Sequence, residues 1–173
     1  MPGFAVDVGE DSMATVVIIM GSKSDLEHCQ KISRALDRLG VEHVLRVASA
    51  HKSPLKVLEI VKEYDRADVV FITAAGRSNA LSGFVDAQTS KPVLACPPYS
   101  NKFGGADIFS NLRMPSGVAP LVVLEPEQAA LAAAKILALS DRALDQRIRS
   151  YQAQKREEID RDDREVQRQQ ESA

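Results

Sequence analysis

Apolar residues in this chain fall into short continuous runs separated by stretches with helical spacing. Thr15-Val16-Val17-Ile18-Ile19-Met20 is apolar and rich in β-branched residues without alternation, which predicts a strand buried on both faces of a parallel sheet. Gly21 ends that run. From Asp25 to Leu39 the residues Leu26, Cys29, Ile32, Leu36 and Leu39 recur at helical intervals, and Gly40 supplies the cap. The alternation then repeats. His43–Ala48 reads as a strand, and Pro54–Tyr64 as a helix with Leu55, Leu58, Ile60 and Val61 on its inner face. Val69–Thr73 reads as a third strand, Asn79–Asp86 as a short helix and Pro92–Ala95 as a fourth strand. Residues 97–118 form a long stretch rich in Pro and Gly, with one short helix around Ala106–Leu112. Pro120–Leu124 is a fifth strand and Pro126–Leu139 an Ala-rich helix.

Strands alternating with helices imply βαβ units and a mostly parallel sheet covered on both faces. The pattern predicts an α/β fold, a three-layer flavodoxin-like domain with a five-stranded parallel sheet, over residues 14–140. Residues 1–13 read as a flexible polar leader. Residues 141–173 read as a charged C-terminal helical extension, since 17 of these 33 residues are Asp, Glu, Lys or Arg with the signs interspersed. A sparse apolar stripe (Leu144, Ile148, Tyr151, Ile159, Val166) suits either a solvated helix or one that docks on a neighbouring subunit.

Composition narrows the class. The chain has 173 residues, 45% of them hydrophobic and 27% charged, which suits one soluble domain with a core of its own. Lys and Arg number 22 against 24 Asp and Glu, a balance that argues against a nucleic-acid partner. No apolar stretch is long enough to span a bilayer, so no membrane partner is expected. The leader has acidic residues and no basic region, unlike a signal peptide. Two cysteines without a CxxC, and histidines at 28, 43 and 51, show no metal-ligand spacing, and no metal is expected. A cytoplasmic enzyme or binding domain remains.

In an open parallel sheet, ligands bind beyond the carboxyl ends of the strands. Four such segments stand out. Gly21-Ser22-Lys23-Ser24-Asp25 fits neither a P-loop nor a dinucleotide fingerprint. Its small residues and hydroxyls at a helix start suit a phosphate, with Asp25 placed for sugar hydroxyls; Ser24 and Glu27 equally form a capping box that needs no ligand. Ser49-Ala50-His51-Lys52 precedes Ser53-Pro54, which reads as an N-cap with Pro at the first helical position. His51 there is either a surface residue or a proton carrier near neutral pH. Ala75-Gly76-Arg77-Ser78-Asn79 would let a flat ring approach the backbone, or Ser78 caps the helix that follows. Cys96-Pro97-Pro98 opens a loop long enough to be functional, although Cys96 reads as a small apolar residue with no base partner. His28 and His43 receive no role.

Taken together and in this order, MGSKSD, SAHKSP, AAGRSNAL, CPP and SNLRMPSG resemble the phosphoribosylaminoimidazole carboxylase family of purine biosynthesis, over about residues 16–139. The resemblance implies a flavodoxin-like fold, a homo-oligomer (octamer or tetramer) with active sites where subunits meet, and no cofactor. The partners it implies are a small ribonucleotide and CO2. One branch of the family adds CO2 to carbon 4 of aminoimidazole ribonucleotide. The other is a mutase that moves a carboxylate from the 5-amino nitrogen, and it typically has Arg after the SAH motif and a Gly-Gly-Ala-Ala-His run. Lys52 and Gly76-Arg77-Ser78-Asn79 stand at those places here, which resembles the CO2-using branch. By resemblance His51, Lys52 and Ser78 are catalytic. Gly21, Ser22, Ser24, Asp25, Ser49, Ala50, Ala75, Gly76, Arg77 and Asn79 then bind substrate.

Overall fold

The computed structural model describes residues 15–65 and 68–171, so the expected leader lies outside the described residues. Five strands form one parallel sheet: β1 (Thr15–Met20), β2 (Glu42–Val47), β3 (Val69–Ala74), β4 (Val93–Ala95) and β5 (Leu121–Val122), in the order β2-β1-β3-β4-β5. Helices α1 (Leu26–Leu39), α2 (Pro54–Tyr64), α3 (Ala80–Asp86), α4 (Phe109–Leu112), α5 (Pro126–Leu137) and α6 (Arg142–Glu171) complete it.

The unbroken apolar run of β1 is explained by what covers it. Val16, Ile18 and Met20 point into a core built with α1, α5 and the start of α6. Val17 and Ile19 point the other way, into a second core with α2 and α3. Period-two alternation sends neighbouring side chains to opposite faces, so a central strand with helices on both sides must be apolar throughout. The same division holds in β3, where Val70 and Ile72 serve one core and Val69 and Phe71 the other. The predicted three-layer α/β architecture is the one observed.

Several local readings need correction. Leu55 is 74% exposed, and the inner face of α2 is Val57, Ile60 and Val61. Two positions on a helix differ by about 200°, so Leu55 cannot share a face with Val57. The capping box at Ser24 does not form: Asp25 occupies the N-cap of α1, and the Ser22 hydroxyl instead caps a 3-10 turn over Lys23–Asp25. Ser53 is the N-cap residue of α2, yet its hydroxyl turns back to Ser49. Asn79, not Ser78, caps α3, its side-chain oxygen accepting the Ser82 N–H.

The C-terminal helix packs its first turns on its own domain. Leu144 and Ile148 are buried in the core shared by α1 and α5, and Tyr151 packs against it. Arg147 Nε donates to the Leu39 carbonyl at 2.8 Å, beside Gly40, whose φ of +64° ends α1 in the left-handed region that favours glycine. Ile159 and Val166 continue the stripe into solvent, 67% and 52% exposed. Pairs such as Arg149–Asp145 and Lys155–Glu158 support the exposed turns.

This division predicts unequal effects along one helix. Leu144→Ala should cost about 2–5 kcal/mol in denaturant unfolding, and Ile159→Ala less than about 0.5 kcal/mol. Equal losses at the two positions would show that the distal helix is packed like its root.

Candidate active site

β1 lies between β2 and β3, with Met20 level with Val47 on one side and Ala74 on the other. Two hydrogen bonds extend that register past the strands: Gly21 N–H to the Ala74 carbonyl at 2.9 Å, and Ala48 N–H to the Met20 carbonyl at 3.0 Å. The loops after β1, β2 and β3 therefore leave the sheet side by side. They enclose a cleft of about 430 Å³ at the point where the strand order reverses.

Twelve of the thirteen residues expected from the sequence line this cleft. The first loop contributes Gly21, Ser22, Ser24 and Asp25, and the second Ser49, Ala50, His51 and Lys52. From the third come Ala75, Gly76, Arg77 and Ser78. Asn79 is the exception. Its side chain is buried and spent on Ser82 and on a hydrogen bond to Asn111 Oδ1. Leu81, which the sequence reading did not single out, is part of the lining.

Each loop is shaped by its own small side chains. In the first, Ser22 Oγ accepts the Ser24 N–H at 3.1 Å and lies 2.8 Å from Ser24 Oγ, so both hydroxyls stand at the start of α1. A Cβ on Gly21 would stand 3.4 Å from that of Ala75, closing the space between first and third loops. In the second, the Ser53 N–H bonds the Ser49 carbonyl at 2.8 Å and Ser49 N–H bonds Ser53 Oγ at 3.1 Å. That tight turn projects His51 and Lys52 outward. Among the described residues no group hydrogen-bonds the His51 imidazole, which leaves both ring nitrogens available.

The third loop is held from a distance. Arg77 adopts φ +62°, a left-handed backbone uncommon outside glycine. Ser110 Oγ accepts the Asn79 N–H at 3.1 Å and shares its proton between the carbonyls of Asp107, at 2.8 Å, and Arg77, at 3.1 Å. Ser110 and Asn111 thus fix the third loop from more than thirty positions downstream. No local signal marks that role.

Burial sets the electrostatics. Asp25 has its pKa raised, chiefly by desolvation, against the opposing pull of His28 and of hydrogen bonds from Ser22 and Ser24. Cys96 does have a histidine beside it, since its Sγ lies 3.4 Å from His28 Nε2. That pair is nonetheless neutral. Burial pushes the Cys96 thiol up to about 12 and lowers the His28 pKa, so no thiolate forms. Cys29 is likewise pushed up to about 12 by burial. Among the described residues no cluster of three His, Cys, Asp or Glu side chains could hold a metal ion.

A family model described as AIR carboxylase matches residues 15–158, most of the chain. The chain belongs to the AIR carboxylase family. A phosphoribosylaminoimidazole carboxylase of Archaeoglobus fulgidus is 64% identical over 150 residues, which cover 87% of this chain and 83% of that one. One from Treponema denticola is 47% identical, covering 88% and 98% respectively. The crystal structure of Treponema denticola PurE has a TM-score of 0.85 and covers 87% of this chain and 97% of that one, at 47% identity. Membership of the AIR carboxylase family thus accounts for the fold and for the motifs that line the cleft.

Asp25 supplies a prediction with a definite sign. A carboxyl raised on folding adds stability below its unfolded pKa, near 3.8, and that contribution is lost as the pH rises through the folded value. At pH 7 the charged form therefore costs stability. Asp25→Asn should raise the thermal midpoint at pH 7 by roughly 1–3 °C and leave it unchanged near pH 3. A lower midpoint at pH 7 would show that the carboxylate is held by favourable contacts.

Proposed function

We propose that this chain carboxylates aminoimidazole ribonucleotide at carbon 4 with CO2, giving 4-carboxy-5-aminoimidazole ribonucleotide in purine biosynthesis. The observation that carries the reading is the convergence of the SKSD, SAHK and AGRS segments on one cleft. The relatives named as carboxylases, at 64% and 47% identity, support it.

The chemistry follows from the residues. The start of α1, with Ser22 and Ser24, suits the phosphate: a helix N-terminus favours an anion, and the hydroxyls add donors. Asp25 accepts from the ribose hydroxyls, and a partly desolvated carboxylate gains from such donors. Ala75 and Gly76 leave room for the flat imidazole. Carbon 4 of the aminoimidazole is enamine-like and attacks CO2 held in line, forming the new carbon–carbon bond. Carbon 4 is then tetrahedral and still bears its proton. His51 takes that proton, which restores the aromatic ring, and passes it to water. Lys52 stabilises the developing carboxylate electrostatically, and the Ser78 hydroxyl is placed at the same rim of the cleft.

A cytoplasmic homo-oligomer, octamer or tetramer, completes the reading. No helix among the described residues is long and apolar enough to cross a membrane. Of the exposed large apolar side chains, Tyr99, Phe103, Phe109, Leu112, Leu121 and Leu124 all fall between residues 99 and 124, which supports a subunit contact there.

The test offers the protein two substrates without ATP. Aminoimidazole ribonucleotide with labelled bicarbonate and carbonic anhydrase should yield labelled product. N5-carboxyaminoimidazole ribonucleotide with a CO2 trap should yield none, and product from the second mixture alone would make the chain a mutase. His51→Asn should lower turnover by at least about 100-fold while ribonucleotide affinity stays within about threefold. Normal turnover in that variant would remove His51 from the proton transfer.

A further inference from the structure

We infer that His28 is a positioning residue for the ribonucleotide, its imidazole tying the start of the helix that follows Asp25 to the end of β4. The inference rests on the reading above that the cleft binds a ribonucleotide. His28 lies one helical turn after Asp25, at the start of α1. Its Nε2 is 3.0 Å from the carbonyl oxygen of Cys96, just past the end of β4. With the ring neutral, the tautomer that carries the proton on Nε2 donates to that carbonyl.

Strand pairing does not satisfy this carbonyl. Cys96 is followed by Pro97 and Pro98, neither of which has an N–H. β5 pairs only as far as Ala95, and among the described residues no backbone N–H reaches the Cys96 oxygen. A buried carbonyl requires a donor, and His28 is the one provided. The Cys96 side chain is anchored as well. The Cys96 thiol donates to the Leu124 carbonyl at 3.6 Å. His28 thus ties the start of α1, beside Ser24 and Asp25 of the cleft lining, to the end of β4. That tie fixes where the start of α1 stands against the sheet. A ribonucleotide held at the start of α1 senses that placement directly, whereas the proton transfer at His51 does not.

Two polar variants separate positioning from packing. The side-chain nitrogen of Gln falls near the place of the imidazole Nε2, and that of Asn near Nδ1, too short to reach Cys96. In the full-length protein, His28→Asn should raise both KM and the calorimetric Kd for aminoimidazole ribonucleotide about tenfold, with kcat within about twofold of the parent. Tenfold corresponds to about 1.4 kcal/mol, the net worth of one hydrogen bond. His28→Gln should return both constants to within about threefold. The proposal is overturned if His28→Asn folds with an unchanged KM and Kd, if kcat falls while KM holds, or if His28→Gln is as impaired as His28→Asn. Failure of His28→Asn to fold would also overturn it, by making the bond an element of stability. The two readings fail separately. A parent protein that binds the ribonucleotide but does not turn it over defeats the proposed reaction, and the Kd comparison still decides the role of His28.

Discussion

Parallel pairing of β1 with both its neighbours places Met20 beside Val47 and Ala74, and the cleft depends on that register. A slip of one residue would exchange the two faces of a strand whose alternate side chains serve different cores. It would also carry Gly21 away from Ala75 and separate the three loops. The register is therefore held by apolar burial on both faces, and the chemistry at the strand ends inherits its accuracy from the core.

Stability and function part company at the rim. Asp25 is held where burial disfavours its charge, and Arg77 where its backbone conformation is uncommon. Both positions are over-determined by neighbours that never touch the cleft. His28 lies behind the first, and Ser110 with Asn111 behind the second. Side chains that line the cleft are thus supported by a further layer drawn from distant parts of the sequence, as a site with fixed geometry requires.

The strand-and-helix order was legible because uninterrupted β-branched runs and helical spacing report burial directly. The cleft was legible because ligand sites in parallel sheets lie at strand ends, so attention to Ser22, Asp25, His51 and Gly76 needed no tertiary information. The alternative of capping by Ser24 and Ser78 is not realised, for a physical reason. Serine hydroxyls have several backbone partners within reach, and the turns chose others. Asn79 looked like a ligand contact because only the fold shows that Asn111 and Ser82 occupy its amide. The pairing of His28 with Cys96 joins positions 68 residues apart, and no spacing rule foretells it.

On the proposed reading three strand ends form one ribonucleotide site, phosphate to the first loop and base between the second and third. A crystal structure of the protein soaked with aminoimidazole ribonucleotide tests it most directly. It should place the phosphate at Ser22 and Ser24, the ribose hydroxyls at Asp25, and carbon 4 facing His51 across from Gly76. A phosphate held elsewhere, or carbon 4 turned away from His51, would contradict it.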